Sequence, residues 1–271
     1  MKTRILAAVI LLPLLLAVVL ALPKIFTAIL FGAAGALAAY ELLHATGLVK
    51  ERRLVWYAAA SAFAVSLWSF YGCDRIWGTV LVLAVFAAYF AEMMASHIKL
   101  TFDKISICLA AALVLPYLLT SLVRIHTMDL GRFFILVPFM MAFLPDSGAY
   151  FMGMRFGKHK LAPIISPKKT VEGVFGGTAS AVLGMLVYAL ILSTCFDMQV
   201  NYLYAVIYGI ASAVGSVFGD LCFSVIKRQT GIKDYGKLIP GHGGILDRFD
   251  SMMVVAPLAE ILLTLLPIAV K

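Results

Sequence analysis

Nine apolar runs, each close to the length needed to cross a lipid bilayer, constrain this chain more than any other feature of its sequence. They occupy residues 5–22, 25–43, 54–70, 76–95, 105–123, 133–153, 174–193, 201–223 and 251–270. A transmembrane helix takes about 20 apolar residues, and 63% of the 271 residues are hydrophobic while only 13% are charged. A soluble enzyme, a coiled coil and a disordered chain are therefore excluded. We predict an all-α polytopic integral membrane protein with about nine transmembrane helices.

The basic residues predict an orientation for these helices. The first run follows Lys2 and Arg4, but it is long for a signal peptide and no clear cleavage site follows, so we expect a retained helix. If all nine runs cross, 17 of the 22 Lys and Arg residues lie on the side of the N-terminus. Cytoplasmic loops are rich in Lys and Arg, so the long loops 154–173 and 224–250 are predicted to be cytoplasmic. We expect one integrated membrane domain, with N-terminal helices in 1–100 and site-bearing helices in 101–271.

Loop 224–250 and its flanks carry the densest group of polar residues. If the preceding helix continues, Asp220, Ser224 and Lys227 fall at i, i+4 and i+7 on one face. Asp247 and Asp250 are at i and i+3 where the last run begins, so they share a face as well. Asp250 could instead serve only to cap that helix and offset its dipole. The glycines at 241, 243 and 244 leave backbone amides free to approach an anion closely.

Loop 154–173 contributes a second polar segment. Asp146, Tyr150 and Gly153 recur at helical spacing just before it, and Ser-Pro-Lys-Lys-Thr-Val-Glu-Gly follows from residue 166. Lys168 and Lys169 alone would indicate a patch for lipid headgroups. Beside Ser166, a proline and a glycine, they indicate an ordered anion-binding segment.

Carboxylates inside apolar runs are costly to bury, which makes them functional candidates. For Asp146 and Asp220 we favour a functional role over a structural ion pair between helices. Glu41, Glu92 and Glu260 have no motif around them, and for these the functional and structural interpretations stay open.

The residue inventory indicates chemistry on phosphates. Carboxylates among many cations suggest Mg²⁺ and a polyphosphate. Segment 231–237 fits most of a P-loop, but Leu238 stands where a Ser or Thr should bind Mg²⁺ and no strand precedes it. There is no Ser-His-Asp order, no G-x-S-x-G and no H-E-x-x-H in the sequence. A phosphate nucleophile is already ionised and needs no general base, so the inventory is consistent with phosphoryl or nucleotidyl transfer.

The run S-x-I-K-R-x-x-x-x-K-D-x-G-x-x-I-P-x-H-G-G-I-x-D-R-F-D, residues 224–250, resembles the signature of the phosphatidate cytidylyltransferases. The upstream segments D-S-G-A-Y and S-P-K-K-T-x-E-G resemble that family too, as do the length and the number of apolar runs. The specific motifs lie in the C-terminal half, and the N-terminal half is similar only in hydropathy.

The resemblance implies that CTP and phosphatidate react to give CDP-diacylglycerol and pyrophosphate with Mg²⁺ as cofactor. It implies Asp220 and Asp247 as metal ligands, with Asp250 beside them and a second cation in the same site. It also implies a homodimer in the inner membrane, with its site at the cytoplasmic face, surrounded by membrane lipids and without a nucleic-acid partner. The implied catalytic and substrate-binding residues are Lys169, Lys227 and Arg228, and Ser166, Lys168, Asp146, Ser224, Lys233, His242 and Arg248.

Two alternatives stay open at this point. A related enzyme could use CTP on another lipid, such as an ether lipid or a polyprenol, because the tails would meet only apolar helices. An anion transporter would instead place polar residues near the membrane midplane on several helices. Here the polar residues cluster towards one face, which favours the transferase.

Overall fold

The computed structural model describes residues 2–96, 99–239, 241 and 243–270, and the side chains of residues 2–8 and 10 are not described. Helices dominate the described residues, and the few strands are short. The elements are α1 Lys2–Leu20, α2 Lys24–Ala45, α3 Arg52–Phe70, α4 Arg75–Ala95, α5 Phe102–Leu109, a π-helix Ala110–Val114, α6 Leu115–Leu119, α7 Ser121–Thr127, α8 Gly131–Phe134, α9 Leu136–Phe156, β1 Lys160–Ala162, β2 Ser166–Thr170, α10 Val171–Phe196, β3 Gln199–Val200, α11 Tyr202–Gln229, α12 Leu246–Phe249, α13 Met252–Leu265 and β4 Ala269–Val270.

The prediction of an all-α polytopic membrane protein is confirmed. Helical structure lies at each of the nine predicted positions. Six helical segments of the described chain are long and apolar enough to span a bilayer: Lys24–Ala45, Arg75–Ala95, Phe102–Thr127, Gly131–Phe156, Val171–Phe196 and Tyr202–Gln229. Whether α1, α3 and α13 also cross stays a prediction. At 1.5 Å per residue, the 14 residues of α13 extend about 21 Å, which is less than the roughly 30 Å of a hydrocarbon core.

The first of two compact units contains Met1–Arg132 and Lys227–Phe249. Helices α2 and α3 pack closely in it because small residues line their contact. The buried Ser66 hydroxyl donates to the Ala28 carbonyl at 2.7 Å, and Gly32 lies against the Phe63 ring. The buried Tyr89 hydroxyl donates to the Leu54 carbonyl at 3.0 Å. Small residues at helix contacts are typical of membrane proteins, where close van der Waals packing drives helix association.

The second unit contains Phe133–Ile226 and Asp250–Lys271. Helices α9 and α10 run against each other through glycines. A Cβ at Gly177 would lie 2.6 Å from the Pro145 carbonyl oxygen, and a Cβ at Gly148 would lie 2.7 Å from the Gly176 carbonyl oxygen. Larger residues would therefore force these helices apart.

The helices and the apolar runs differ at several of their ends. Residues 160–162 and 166–170, predicted as loop, form an antiparallel hairpin, and α10 begins at Val171 rather than at residue 174 because the Thr170 hydroxyl caps it. Helix α11 continues to Gln229 instead of ending at residue 223, since polar residues can extend a helix beyond the apolar run. The last helix ends at Leu265, and residues 269–270 pair with 199–200. The division of the chain near residue 100 stays a prediction.

The fifth predicted helix is not continuous. A π-helical turn precedes α6, and Pro116 lies in the first turn of that helix. Proline has no amide hydrogen to donate and its ring crowds the preceding turn. Turns with i→i+5 hydrogen bonds commonly absorb such an interruption.

Candidate active site

In the second unit the β1–β2 hairpin leads directly into α10 and places Lys169 next to α11. The hairpin is tied down by Glu172, whose carboxylate accepts the backbone N–H groups of Lys158 at 3.1 Å and His159 at 3.2 Å. The His159 ring contacts the same carboxylate at 2.6 Å. Glu172, which the sequence placed only within a motif, therefore connects the entry of the hairpin to the start of α10.

Lys169 pairs with Asp220. The Lys169 Nζ lies 2.6 Å from Asp220 Oδ2, and both side chains are about three-quarters buried. The Lys169 ammonium atom itself is buried, and among the described residues it has no partner with hydrogen-bond geometry. The contact is thus an ion pair in which one N–H of this lysine faces Asp220, while its other donors have no acceptor among the described residues. Such a group is suited to oxygens of a phosphate, which would supply the missing acceptors.

Helix α11 presents Asp220 within a row of polar side chains. Ser224, one turn later, donates its hydroxyl to Asp220 Oδ1 at 3.3 Å. Ser216, one turn earlier, donates to Asp146 Oδ1 of α9 at 2.9 Å. Ser216 was not selected from the sequence, although its spacing of four from Asp220 and eight from Ser224 was a usable signal.

In the first unit Asp247 is the centre of a folded loop. Its side chain is 2% exposed, and Oδ1 lies 3.1 Å from Lys227 Nζ. Asp247 Oδ2 accepts the backbone N–H groups of Tyr235 at 2.7 Å and Gly244 at 3.0 Å. A short bridge between Ile239 and Gly243 closes the loop. Lys227 and Asp247 therefore form a buried ion pair, a contact that was not predicted from the sequence.

A glutamate from the N-terminal half reaches the same loop. Glu41 of α2 is buried, and its two carboxylate oxygens accept the backbone N–H groups of Ile245 at 3.0 Å and Leu246 at 2.8 Å. The sequence left the role of Glu41 open because nothing adjacent to it forms a motif.

The remaining predicted residues lie nearer the surface. Asp250 Oδ1 accepts the backbone N–H of Ser251 at 2.7 Å, a local contact near the start of α13. Ser166 is half-buried in β2. His242 lies outside the described residues. Four basic residues are exposed: Lys168, Arg228, Lys233 and Arg248.

The donor set fits a hard cation that keeps much of its water. The described residues contain no cluster of three or more His, Cys, Asp or Glu side chains at metal-binding distance. Mg²⁺, however, is usually bound by one or two carboxylates, with water and substrate phosphates completing its shell. In the second unit Asp220 supplies one such carboxylate, whereas in the first unit the oxygens of Asp247 already contact Lys227 Nζ and the N–H groups of Tyr235 and Gly244. The Asp220 carboxylate is partly exposed, so it is accessible to a cation.

Comparison with known proteins adds to this geometry. The chain matches the cytidylyltransferase family over residues 2–266. It is 34% identical to the phosphatidate cytidylyltransferase of Bacillus subtilis (strain 168) over 275 residues, 98% of each chain. It is 45% identical over 138 residues to the protein of that name from Staphylococcus epidermidis, with 51% of this chain and 52% of the relative covered. The corresponding Staphylococcus aureus (strain COL) protein is 47% identical over 138 residues, with the same coverage.

The chain thus spans about half the length of the Staphylococcus relatives it matches and nearly all of the Bacillus one. The family match covers far more than half of the chain and includes every polar segment described above. This chain belongs to the cytidylyltransferase family.

Proposed function

We propose that this chain transfers the cytidylyl group of CTP to phosphatidate, forming CDP-diacylglycerol and pyrophosphate. The observation that carries the proposal is the Lys169–Asp220 pair, which joins two motifs 51 residues apart and leaves further N–H donors of a buried ammonium available to other acceptors. The names of the relatives and the membrane character of the chain support a lipid substrate. They also favour this activity over anion transport.

The reaction requires two polyanions to meet. A phosphate oxygen of phosphatidate attacks the α-phosphorus of CTP, a new P–O bond forms, and the bond to the β-phosphate oxygen breaks so that pyrophosphate leaves. The attacking phosphate is already ionised, so no side chain has to remove a proton. Lys169 and Lys227 would offset the repulsion between the anions, and this electrostatic term is usually the largest in phosphoryl chemistry.

The exposed basic residues suit the outer part of such a site. Lys168, Lys233 and Arg248 have room to contact phosphate oxygens as substrates arrive, and Arg228 and His242 belong to the same proposed set. Ser166, Ser224 and Asp146 would orient the charged side chains or the substrate through hydrogen bonds.

Mg²⁺ is proposed as cofactor, with Asp220, Asp247 and Asp250 as its candidate ligands, and a second cation is proposed beside it. When bound, the ion would neutralise charge on the triphosphate. The support is the chemistry of the donors, since carboxylate oxygens are the ligands that Mg²⁺ prefers. We also propose a homodimer in the bacterial inner membrane with its site at the cytoplasmic face, in line with the distribution of basic residues.

The substrate is tested with the purified full-length chain in detergent, CTP, Mg²⁺ and a panel of lipid phosphates. We expect a cytidylylated product with diacyl phosphatidate, and the panel measures whether the chain also uses an ether-linked analogue or a polyprenyl phosphate. Asp197→Asn is the control: Asp197 is exposed with a φ of 50°, a conformation that Asn adopts readily. Activity only on a polyprenyl phosphate would overturn the assignment of the lipid.

A further inference from the structure

We infer that Glu41 is a positioning residue for the reaction, because it fixes the backbone that carries Asp247. The inference rests on the proposed function in treating Asp247 as part of the catalytic machinery. The geometry itself does not depend on that assignment.

Three consecutive backbone amides are divided between two carboxylates. The N–H of Gly244 points to Asp247 Oδ2, while the next two, from Ile245 and Leu246, point to the two oxygens of Glu41. Because the peptide planes of neighbouring residues are linked, fixing the amides at 245 and 246 also fixes the turn at 244. The orientation of the Asp247 side chain follows from that turn.

The fit around Glu41 is tight on both sides. Glu41 is 5% exposed, and Cβ atoms added at Gly236 or Gly244 would run into its carboxylate. For Gly244 the three nearest atoms are all carboxyl atoms of Glu41. Glycine at 244 therefore gives the carboxylate room to reach the backbone, although its own φ is not one that requires glycine.

Position 41 lies about 200 residues from the loop in sequence, on a helix with no catalytic motif. Helix α2 makes a second contact with the same segment through two aromatic rings. The ring centroids of Phe31 of α2 and Phe249 of α12 lie 6.2 Å apart. The N-terminal helix α2 thus supports the signature loop both through apolar packing and through a carboxylate that binds backbone.

Glu41→Gln tests this role with little change in size. Glutamine offers one acceptor oxygen and an NH₂ group, so one of the two backbone N–H groups would face a donor instead of an acceptor. We expect kcat to fall by about ten-fold or more while KM for CTP and phosphatidate changes little, the pattern of a lost transition-state interaction. Amide hydrogen exchange of the full-length protein in detergent should accelerate in the peptide covering residues 243–249 and not in residues 160–170.

Glu92→Gln is the matched control. Glu92 lies in α4 of the same unit, and it accepts a hydrogen bond from the Tyr57 hydroxyl at 3.0 Å rather than from the loop. It should leave exchange in 243–249 and kcat unchanged. Equal effects of the two substitutions, or normal exchange and normal kcat in Glu41→Gln, would overturn the inference.

Gly244→Ala tests the same contact without a substitution at position 41, and a double-mutant cycle with Glu41→Ala extends the test. Gly244→Ala alone should impair activity because the new methyl group displaces the carboxylate, whereas adding it to Glu41→Ala should cost little more. Additive losses would contradict the assignment. If the wild-type chain fails to use CTP, the proposed function falls, and hydrogen exchange alone still decides whether Glu41 holds the loop.

Discussion

Asparagine substitutions at Asp220 and Asp247 should both stop turnover, but they should differ in their effect on stability. The Asp247 side chain is 2% exposed and faces a lysine that is 13% exposed. Removing one partner of such a buried pair costs about 3–5 kcal/mol. The Lys169–Asp220 pair is less buried, with side chains 22% and 26% exposed, so breaking it should cost less.

The free energy of unfolding should therefore fall more in Asp247→Asn than in Asp220→Asn. Denaturant titration in detergent, followed by tryptophan fluorescence, measures this difference. CTP-dependent turnover is measured on the same samples under conditions where each variant is folded. The double mutant should be scarcely less active than either single one, since residues that act together are not additive. Equal stability losses would refute the reasoning from burial, and near-normal turnover of either variant would refute the catalytic assignment.

Three further predictions follow from the same geometry. Lys169→Ala should reduce turnover by tens-fold or more, at about 1.4 kcal/mol for each factor of ten, while Lys160→Ala in the same hairpin should have little effect on the assay. Single cysteines at the exposed positions Lys160 and Lys237 should react with an impermeant maleimide only after the cells are opened, and ready labelling of intact cells would reverse the predicted orientation. The hydrogen bond from Lys104 lowers the pKa of Glu51 below its ordinary value of 4.5. The contact between Lys104 and Glu51 therefore stabilises the folded protein fully above pH 4.5, and this stabilisation is lost as the pH falls through the lowered pKa. The stabilities of wild type and Lys104→Ala should therefore converge in acid, and a pH-independent difference would show another cause.

Hydropathy was sufficient to predict the helical architecture because lipid allows few ways to satisfy the backbone. All nine apolar runs coincide with helical structure in the described residues. The ends were harder to predict, since polar residues can prolong a helix once it has begun. Helix α11 continues to Gln229, so that Asp220, Ser224 and Lys227 occupy one continuous helix as the spacing required.

The candidate site was predictable where its residues are local or share a motif. Lys169 and Asp220 were both selected from sequence, but their direct pairing depends on a hairpin that no hydropathy pattern indicates. Asp247 was selected as a metal ligand from the sequence. That its carboxylate is buried and accepts two backbone N–H groups is seen only in the folded loop.

Glu41 shows the limit of local reasoning most clearly. Its partners are backbone amides, which have no sequence signature, and they lie more than 200 residues away. A buried carboxylate in an apolar helix indicated only that some partner must stabilise its charge. Only the tertiary structure identifies that partner as the backbone of the loop.

The most direct test of the proposed cytidylyl transfer follows the α- and γ-phosphorus atoms of CTP through the reaction. Wild-type protein is incubated with phosphatidate and CTP labelled either at the α-phosphorus or at the γ-phosphorus. Attack at the α-phosphorus predicts that the α label enters the lipid fraction and the γ label appears in pyrophosphate, in equal amounts. Transfer of the γ label to the lipid, or no label in the lipid at all, would contradict the proposed reaction.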